Sequence, residues 1–286
     1  MIGQIVGDYR IVKQLGEGGM GMVYLGEHLQ LRQKVAIKAL HPTLVQNEGA
    51  KDRFIREAEV LARLNHPNII RLLNFYNVPQ GCFIVMEYAE GDSLFDAAAE
   101  SHAAHLLAAL HAQTAPAFGF ERDTLIGGLR QPNTPAARWL DFFAEQRLSY
   151  MAAEAARAGR LPATTRARVE RLAGRVGDWL VEPARPALIH GDVWTTNVLA
   201  RAGRVTAFLD PAIYYADPEI ELAFIGLFGT FGRAFYEQYH ALRPIAPGFF
   251  EERRELYNLY PLLVHVRLFG GSYVGQVERT LAAYGL

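Results

Sequence analysis

The sequence predicts an α+β chain, with a small β-rich segment followed by a larger, mostly helical one. Three observations carry this. Strand-like runs separated by turn residues crowd the chain up to Tyr88. Alanine is sparse up to Leu94 and dense from Ala97 onward, where the spacing of apolar residues turns helical. All four lysines (Lys13, Lys34, Lys38 and Lys51) fall before residue 52, and the later strong bases are all arginine. The chain of 286 residues is long enough to bury a substantial core. A formal net charge of −1 disfavours a generally basic nucleic-acid binder. Cys82 is the single cysteine, which excludes an intrachain disulfide and a multi-cysteine zinc site. The start lacks the apolar core of a signal peptide, and no apolar run approaches a membrane span. The expectation is a cytoplasmic protein that engages neither membrane nor nucleic acid, of unspecified oligomeric state.

Taken in order, strands are expected at Tyr9–Gly16, Met22–His28 and Gln33–Leu40. A helix over Gly49–Leu64 follows, with Phe54, Ala58, Leu61 and Ala62 on one face, stopped by Asn65-His66-Pro67-Asn68. Strands Ile70–Tyr76 and Cys82–Tyr88 complete the segment. Helices are expected at Ser93–Gln113, Pro135–Ala158 and Pro162–Leu180. A strand at Ala187–Ile189 leads into His190-Gly191-Asp192. A hairpin, Val198–Ala200 with Val205–Leu209, ends at Asp210, and four helices around 219–229, 231–241, 249–268 and 271–284 close the chain.

The motif G-x-G-x-x-G-x-V spans Gly16, Gly18, Gly21 and Val23. A dinucleotide fingerprint opens a helix; this one lies between two strands. Glycines at a hairpin tip let backbone N–H groups approach phosphate oxygens. In Val35-Ala36-Ile37-Lys38, alternation puts Ala36 and Lys38 on one face: Ala36 leaves room for a flat adenine, and Lys38 reaches phosphates. A half-buried lysine needs a counter-charge, and Glu57 on the helix is the natural one. Later, Asp192 and Asn197 keep a five-residue spacing and Asp210 follows. In that arrangement Asp192 orients or deprotonates an acceptor hydroxyl, while Asn197 and Asp210 hold Mg²⁺ against ATP phosphates.

Residues 9–94 resemble the N-terminal lobe of a bacterial eukaryotic-like Ser/Thr protein kinase, on the glycine loop, V-A-I-K, Arg53–Ala58, Leu64–Ile70 and Ile84–Gly91. The resemblance implies a bilobal protein-kinase-like fold, with a five-stranded antiparallel N-lobe carrying one main helix and a mostly helical C-lobe. It makes Met86 the gatekeeper and Glu87 to Ala89 the hinge, with Leu15, Val23, Ala36 and Met86 lining the adenine site.

The second half departs from that family. Trp194 stands where protein kinases have lysine, Asp210-Pro211-Ala212 replaces D-F-G, and no activation segment or A-P-E follows. Residues 97–286 instead resemble the fructosamine kinase (ketosamine 3-kinase) family. The resemblance rests on Phe118–Phe120 with Ile126-Gly127, Trp139–Phe143 with Arg147-Leu148, His190–Asn197, Leu209–Tyr215 and Leu262–Tyr273. It implies ATP-dependent phosphorylation, with Mg²⁺, of a ketosamine or a glycated lysine at the sugar O3. Trp194, Tyr214, Tyr215 and His265 are candidates for the acceptor side, each with core packing as the alternative. Glu219 and Glu221 are read as supports of the catalytic loop.

The two resemblances imply a chimera, natural or engineered, divided into residues 1–90 and 91–286 with the junction about 91–99. The competing expectations are a nucleotide-binding chimera with little turnover and a Ser/Thr protein kinase.

Overall fold

Hydrophobic alternation in the first part of the chain builds one antiparallel sheet. The computed structural model describes residues 1–18, 21–41, 45, 48–64, 69–89 and 96–286. Its strands are β1 (Ile5–Val6), β2 (Tyr9–Gly18), β3 (Gly21–His28), β4 (Lys34–Leu40), β5 (Leu72–Val78) and β6 (Gly81–Glu87), in the spatial order β1-β2-β3-β4-β6-β5. The five expected strands are present, and the two-residue β1 adds a sixth at the edge, too short to carry a periodic signal. The expected helix is α1 (Glu48–Leu61). Its expected stop at Asn65–Asn68 and the chain from 90 to 95 lie outside the described residues.

The sheet has two apolar faces. Val35, Ile37 and Ala39 of β4 pack with Tyr9, Ile11, Phe83 and Val85 on one side. Ala36 lies on the other, among Phe54 and Ala58 of α1, Ile84, Met86, Ala207 and Leu209. The period of two therefore sends the V-A-I-K alternation to opposite faces as expected.

The rest is mostly helical. Asp96 caps α2 (Ala97–His111) by accepting from Ala99 N at 2.8 Å, so the helix starts later than the sequence suggests. The hairpin β7 (Thr124–Ile126) and β8 (Leu129–Gln131) follows; it is joined by Gly127-Gly128, both with φ in the left-handed region. The expected helix 135–158 begins at Trp139, where the Glu182 carboxylate accepts from Trp139 N and Leu140 N. It runs as α3 (Trp139–Phe142), a π-helical stretch (Phe143–Ser149) and α4 (Tyr150–Arg157).

Helix α5 (Ala163–Ala173) ends at Gly174, well short of Leu180. Strand β9 (Ala187–Ile189) pairs with β12 (Tyr214–Ala216), and β10 (Val198–Arg201) with β11 (Arg204–Phe208). Helices α6 (Glu219–Leu227), α7 (Arg233–Leu242), α8 (Arg254–Phe269) and α9 (Ser272–Ala283) close the chain, α8 preceded by a π-helical turn at Phe249–Arg253. One large apolar core joins these helices around Trp139, Phe143, Tyr257 and Leu263. No described helix is long and apolar enough to cross a membrane.

Candidate active site

The register of the sheet places the first half of the site. Gly16 pairs with Val23 and Gly18 with Gly21 across the β2–β3 hairpin, whose tip, Gly19-Met20, lies outside the described residues. Val23 in turn stands opposite Lys38, and Ala36 opposite Met86. Gly21 is required by space: a Cβ there would sit 2.2 Å from the Ala39 carbonyl oxygen. Leu15 is 41% exposed and Val23 half-buried, at the open edge of this face. A cavity of about 280 Å³ is lined by Glu87, Tyr88 and Ala89 of the expected hinge, Lys34 of β4, Ile70, and Thr206 and Ala207 of β11. Lys34, Ile70, Thr206 and Ala207 escaped the sequence reading, although Lys34 shares the face of Ala36 and Lys38 by simple alternation. The Glu87 side chain turns to Arg71, whose Nε donates at 2.8 Å.

Lys38 Nζ donates to Glu57 Oε1 at 2.5 Å and lies 3.7 Å from Asp210 Oδ1. Burial alone would lower the Lys38 pKa; the Asp210 and Glu57 carboxylates outweigh it and hold the ammonium above its ordinary value. The cation expected at the phosphates thus reaches both its helix partner and the second-half aspartate.

Asp192, Asn197 and Asp210 also come together. Asn197 Nδ2 donates to both the backbone oxygen and Oδ2 of Asp192, each at 3.0 Å. Both bonds use the amide nitrogen, so neither engages Asn197 Oδ1. Asp210 holds φ at 47°, a strained value for a non-glycine residue, and its carboxylate is 48% exposed. An oxygen-donor pair of one amide and one half-open carboxylate suits a hard divalent cation. Burial, with the Asp210 charge second, raises the Asp192 carboxyl to about 8.

The turn carrying Asp192 is held from behind. Glu221 of α6 accepts from Gly191 N at 2.6 Å and His190 N at 3.2 Å. Its Oε2 also lies 2.8 Å from Nε2 of buried His111, whose Nδ1 is 2.7 Å from the Tyr239 hydroxyl. Glu221 therefore supports the loop as expected. Glu219 does not: it pairs with Arg253 at 2.6 Å, because α6 turns it to the opposite side. His111 was missed, though its spacing from Ala103 and Leu107 puts it on the buried face of α2.

The acceptor-side candidates divide. Trp194 is 38% exposed and its ring lies 6.2 Å from Phe228; Phe228 lies 5.1 Å from His265, which neighbours Phe269 and Tyr273. His265 Nδ1 is 2.8 Å from the Pro261 carbonyl oxygen, and burial lowers its pKa. Tyr214 is corrected to a core residue: it is 2% exposed, in β12, with the Arg147 guanidinium 3.9 Å from its ring centroid. Tyr215 is half-buried and bound through its backbone to Gly119. From Asp210 the chain passes through β12 directly into α6.

Comparison with known proteins decides the family. The sequence profile of the fructosamine kinase family matches residues 38–284. The chain belongs to the fructosamine kinase family. A probable ketoamine kinase of Synechocystis is 44% identical over 179 residues, covering 61% of this chain and 58% of that protein. A probable ketoamine kinase of Vibrio parahaemolyticus is 33% identical over 271 residues, covering 88% and 92%. The solved structure of a protein assigned as a fructosamine-3-kinase from Thermobifida fusca superposes with a TM-score of 0.79 at 28% identity, covering 96% and 93%. The family match begins at Lys38 and crosses the region 91–99, so fructosamine-kinase character is not confined to residues 97–286. The chain is accordingly a kinase, a phosphotransferase of the ketoamine-kinase type, with the bilobal fold of that class.

Proposed function

We propose that this kinase phosphorylates the O3 hydroxyl of a ketosamine, with residues 1–90 holding ATP and residues 91–286 supplying the metal-binding and acceptor groups. The observation that carries the reading is the convergence of Lys38, from β4, on Asp210, beside the bonded pair Asp192–Asn197. Phosphoryl transfer asks for little covalent chemistry from a protein, only alignment and charge compensation.

Each residue has a part. Lys38, fixed by Glu57, pairs with nucleotide phosphates. The segment from Glu87 to Ala89 borders the cavity that accepts the adenine, and Ala36 and Met86 pair on the adjoining strands. Asn197 and Asp210 would hold Mg²⁺, which supplies charge neutralisation at the transferring phosphate. Asp192 takes the hydroxyl proton as the acceptor oxygen attacks, and a carboxyl that titrates near neutrality suits that task. The row of Trp194, Phe228 and His265 offers aromatic faces for the apolar side of a sugar or the linker of a glycated lysine. Its exposure at Trp194 would admit an acceptor still attached to a protein. The family match spans residues 38–284, and this reading does not depend on a separate descent of residues 9–94.

The test is the position of the new phosphate. Incubating the protein with Mg²⁺, ATP and a small fructosamine, then reading the product by phosphorus–carbon coupling in NMR, is expected to place phosphate on O3 and to make the ketoamine labile. Phosphate on another hydroxyl, with a stable ketoamine, would overturn the assignment of the acceptor position.

A further inference from the structure

The segment bearing Asp210 is fixed at a place no motif reveals. Ala212, two residues on, lies against Gly191: a Cβ on Gly191 would stand 2.4 Å from the Ala212 carbonyl oxygen. The two loops of the site therefore cross backbone against backbone. Glu221 holds the Gly191 side of this crossing. The Ala212 side is held by Gln131, a fully buried residue at the end of β8.

Gln131 Nε2 donates to the Ala212 carbonyl at 3.0 Å and to Thr124 Oγ1 at 2.8 Å. Its Oε1 accepts from the Tyr260 hydroxyl at 2.6 Å. Every polar atom of the amide is thus engaged, and its orientation is set from two elements, β7 and α8. Strand β7 also lies against α1, the helix that carries Glu57. The β7–β8 hairpin consequently touches the Lys38–Glu57 side of the cleft and the Asp210 side at once.

We propose that Gln131 is a positioning residue for the metal-ligand segment: its amide fixes Ala212, and through it the left-handed backbone that aims the Asp210 carboxylate. This rests on the phosphotransferase reading above. A residue behind a metal ligand typically tunes metal affinity or activity by about 10–100-fold. Gln131 has that position without touching the reacting atoms.

The experiment compares wild type with Gln131→Met, which keeps the length and removes both donors and the acceptor. Two readouts are taken on protein shown by circular dichroism to be folded. The first is the affinity for ADP at a series of Mg²⁺ concentrations, by calorimetry; the second is kcat and the acceptor KM at saturating ATP. The expected result is unchanged ADP affinity without Mg²⁺, a Mg²⁺ requirement about tenfold higher, and kcat down about tenfold with the acceptor KM unchanged. Wild-type Mg²⁺ dependence and kcat in the folded variant would overturn the proposal, as would a lowered melting temperature with both readouts unmoved.

If Gln131→Met does not fold, Thr124→Val removes one of the amide's three anchors, together with the bond from Asn133 Nδ2 to the same hydroxyl. A smaller shift of the same sign supports the proposal, and none overturns it. The binding readout needs no acceptor, so a wild type that ignores fructosamine would contradict the proposed function while leaving this inference testable.

Discussion

Burial, with the facing Asp210 charge second, raises the Asp192 carboxyl to about 8, while Asn197 donates to its carboxylate and opposes that rise. Asp192→Asn retains the shape and the Asn197 neighbour but cannot take a proton. Turnover is expected to fall about 10²–10⁴-fold, with nucleotide affinity by calorimetry unchanged. Gly191→Ala meets two penalties, a φ of 83° and the Ala212 carbonyl at 2.4 Å. A loss on the order of 1–3 kcal/mol is expected in urea unfolding, together with loss of turnover.

Glu221 behaves differently from Asp192. Burial would raise its pKa, but the bond to His111, the charges of His111 and His190, and the Gly191 N–H together lower it below the ordinary 4.5. A depressed folded-state pKa means that its stabilisation is complete above the unfolded value and is lost as pH falls through the folded one. Glu221→Gln should therefore cost most stability near neutral pH, with the gap to wild type narrowing below about pH 4, measured by urea unfolding across pH. A gap that widened in acid would contradict the ionised clamp.

At this scale the sequence was most legible where chemistry demands fixed spacing. Lys38, Asp192, Asn197 and Asp210 could be named from motif order alone, and Glu57 from the need for a counter-charge. Gln131 and His111 could not, because a buried polar residue acquires meaning only from partners distant in sequence: Ala212 and Tyr260 for one, Glu221 and Tyr239 for the other. Tyr214 misled for the converse reason. Adjacency to the Asp210 motif suggested a role at the acceptor, whereas pairing with Ile189 turns its ring into the core under Arg147.

Among the elements, long periodic segments were readable and short ones were not. The alternation in β3 and β4, the continuous apolar run of β6, which is buried on both faces, and the helical spacing in α2, α7 and α9 survive because each matches the burial it meets. Strands β9 and β12 have three residues each, and only β9 showed itself, by leading into the His190-Gly191-Asp192 turn. The β7–β8 hairpin left a usable signal, Gly127-Gly128 between apolar residues, which matches a two-residue turn with positive φ at both positions. Helix starts moved where a side chain supplied the cap: Asp96 for α2 and Glu182 for α3. Asp96→Ala removes the bond to Ala99 N and is expected to cost about 1 kcal/mol in chemical denaturation while leaving the ATP KM unchanged.

Over the whole molecule, the division into a β-rich part and a helical part followed from the change in period and composition near residue 95. Descent did not follow from it. The protein-kinase-like motifs in residues 9–94 are a glycine-lined hairpin, a lysine on the facing strand and an acid on the helix. The fructosamine kinase match, over residues 38–284, spans Lys38 and Glu57 but begins after the glycine hairpin. The two parts meet where Lys38 reaches Asp210, so the halves proposed to hold nucleotide and metal are joined by a charge pair as well as by the apolar cluster of Ala207 and Leu209 with Met86 and Ile84.

The most direct measurement is ATP consumption by the purified protein with Mg²⁺ and, in parallel, a small fructosamine, a basic peptide and no acceptor, with Asp192→Asn as control. The account predicts turnover that depends on the fructosamine, is absent with the peptide and is lost in the variant. Turnover on the peptide, or nucleotide binding without any acceptor-dependent turnover, would contradict it.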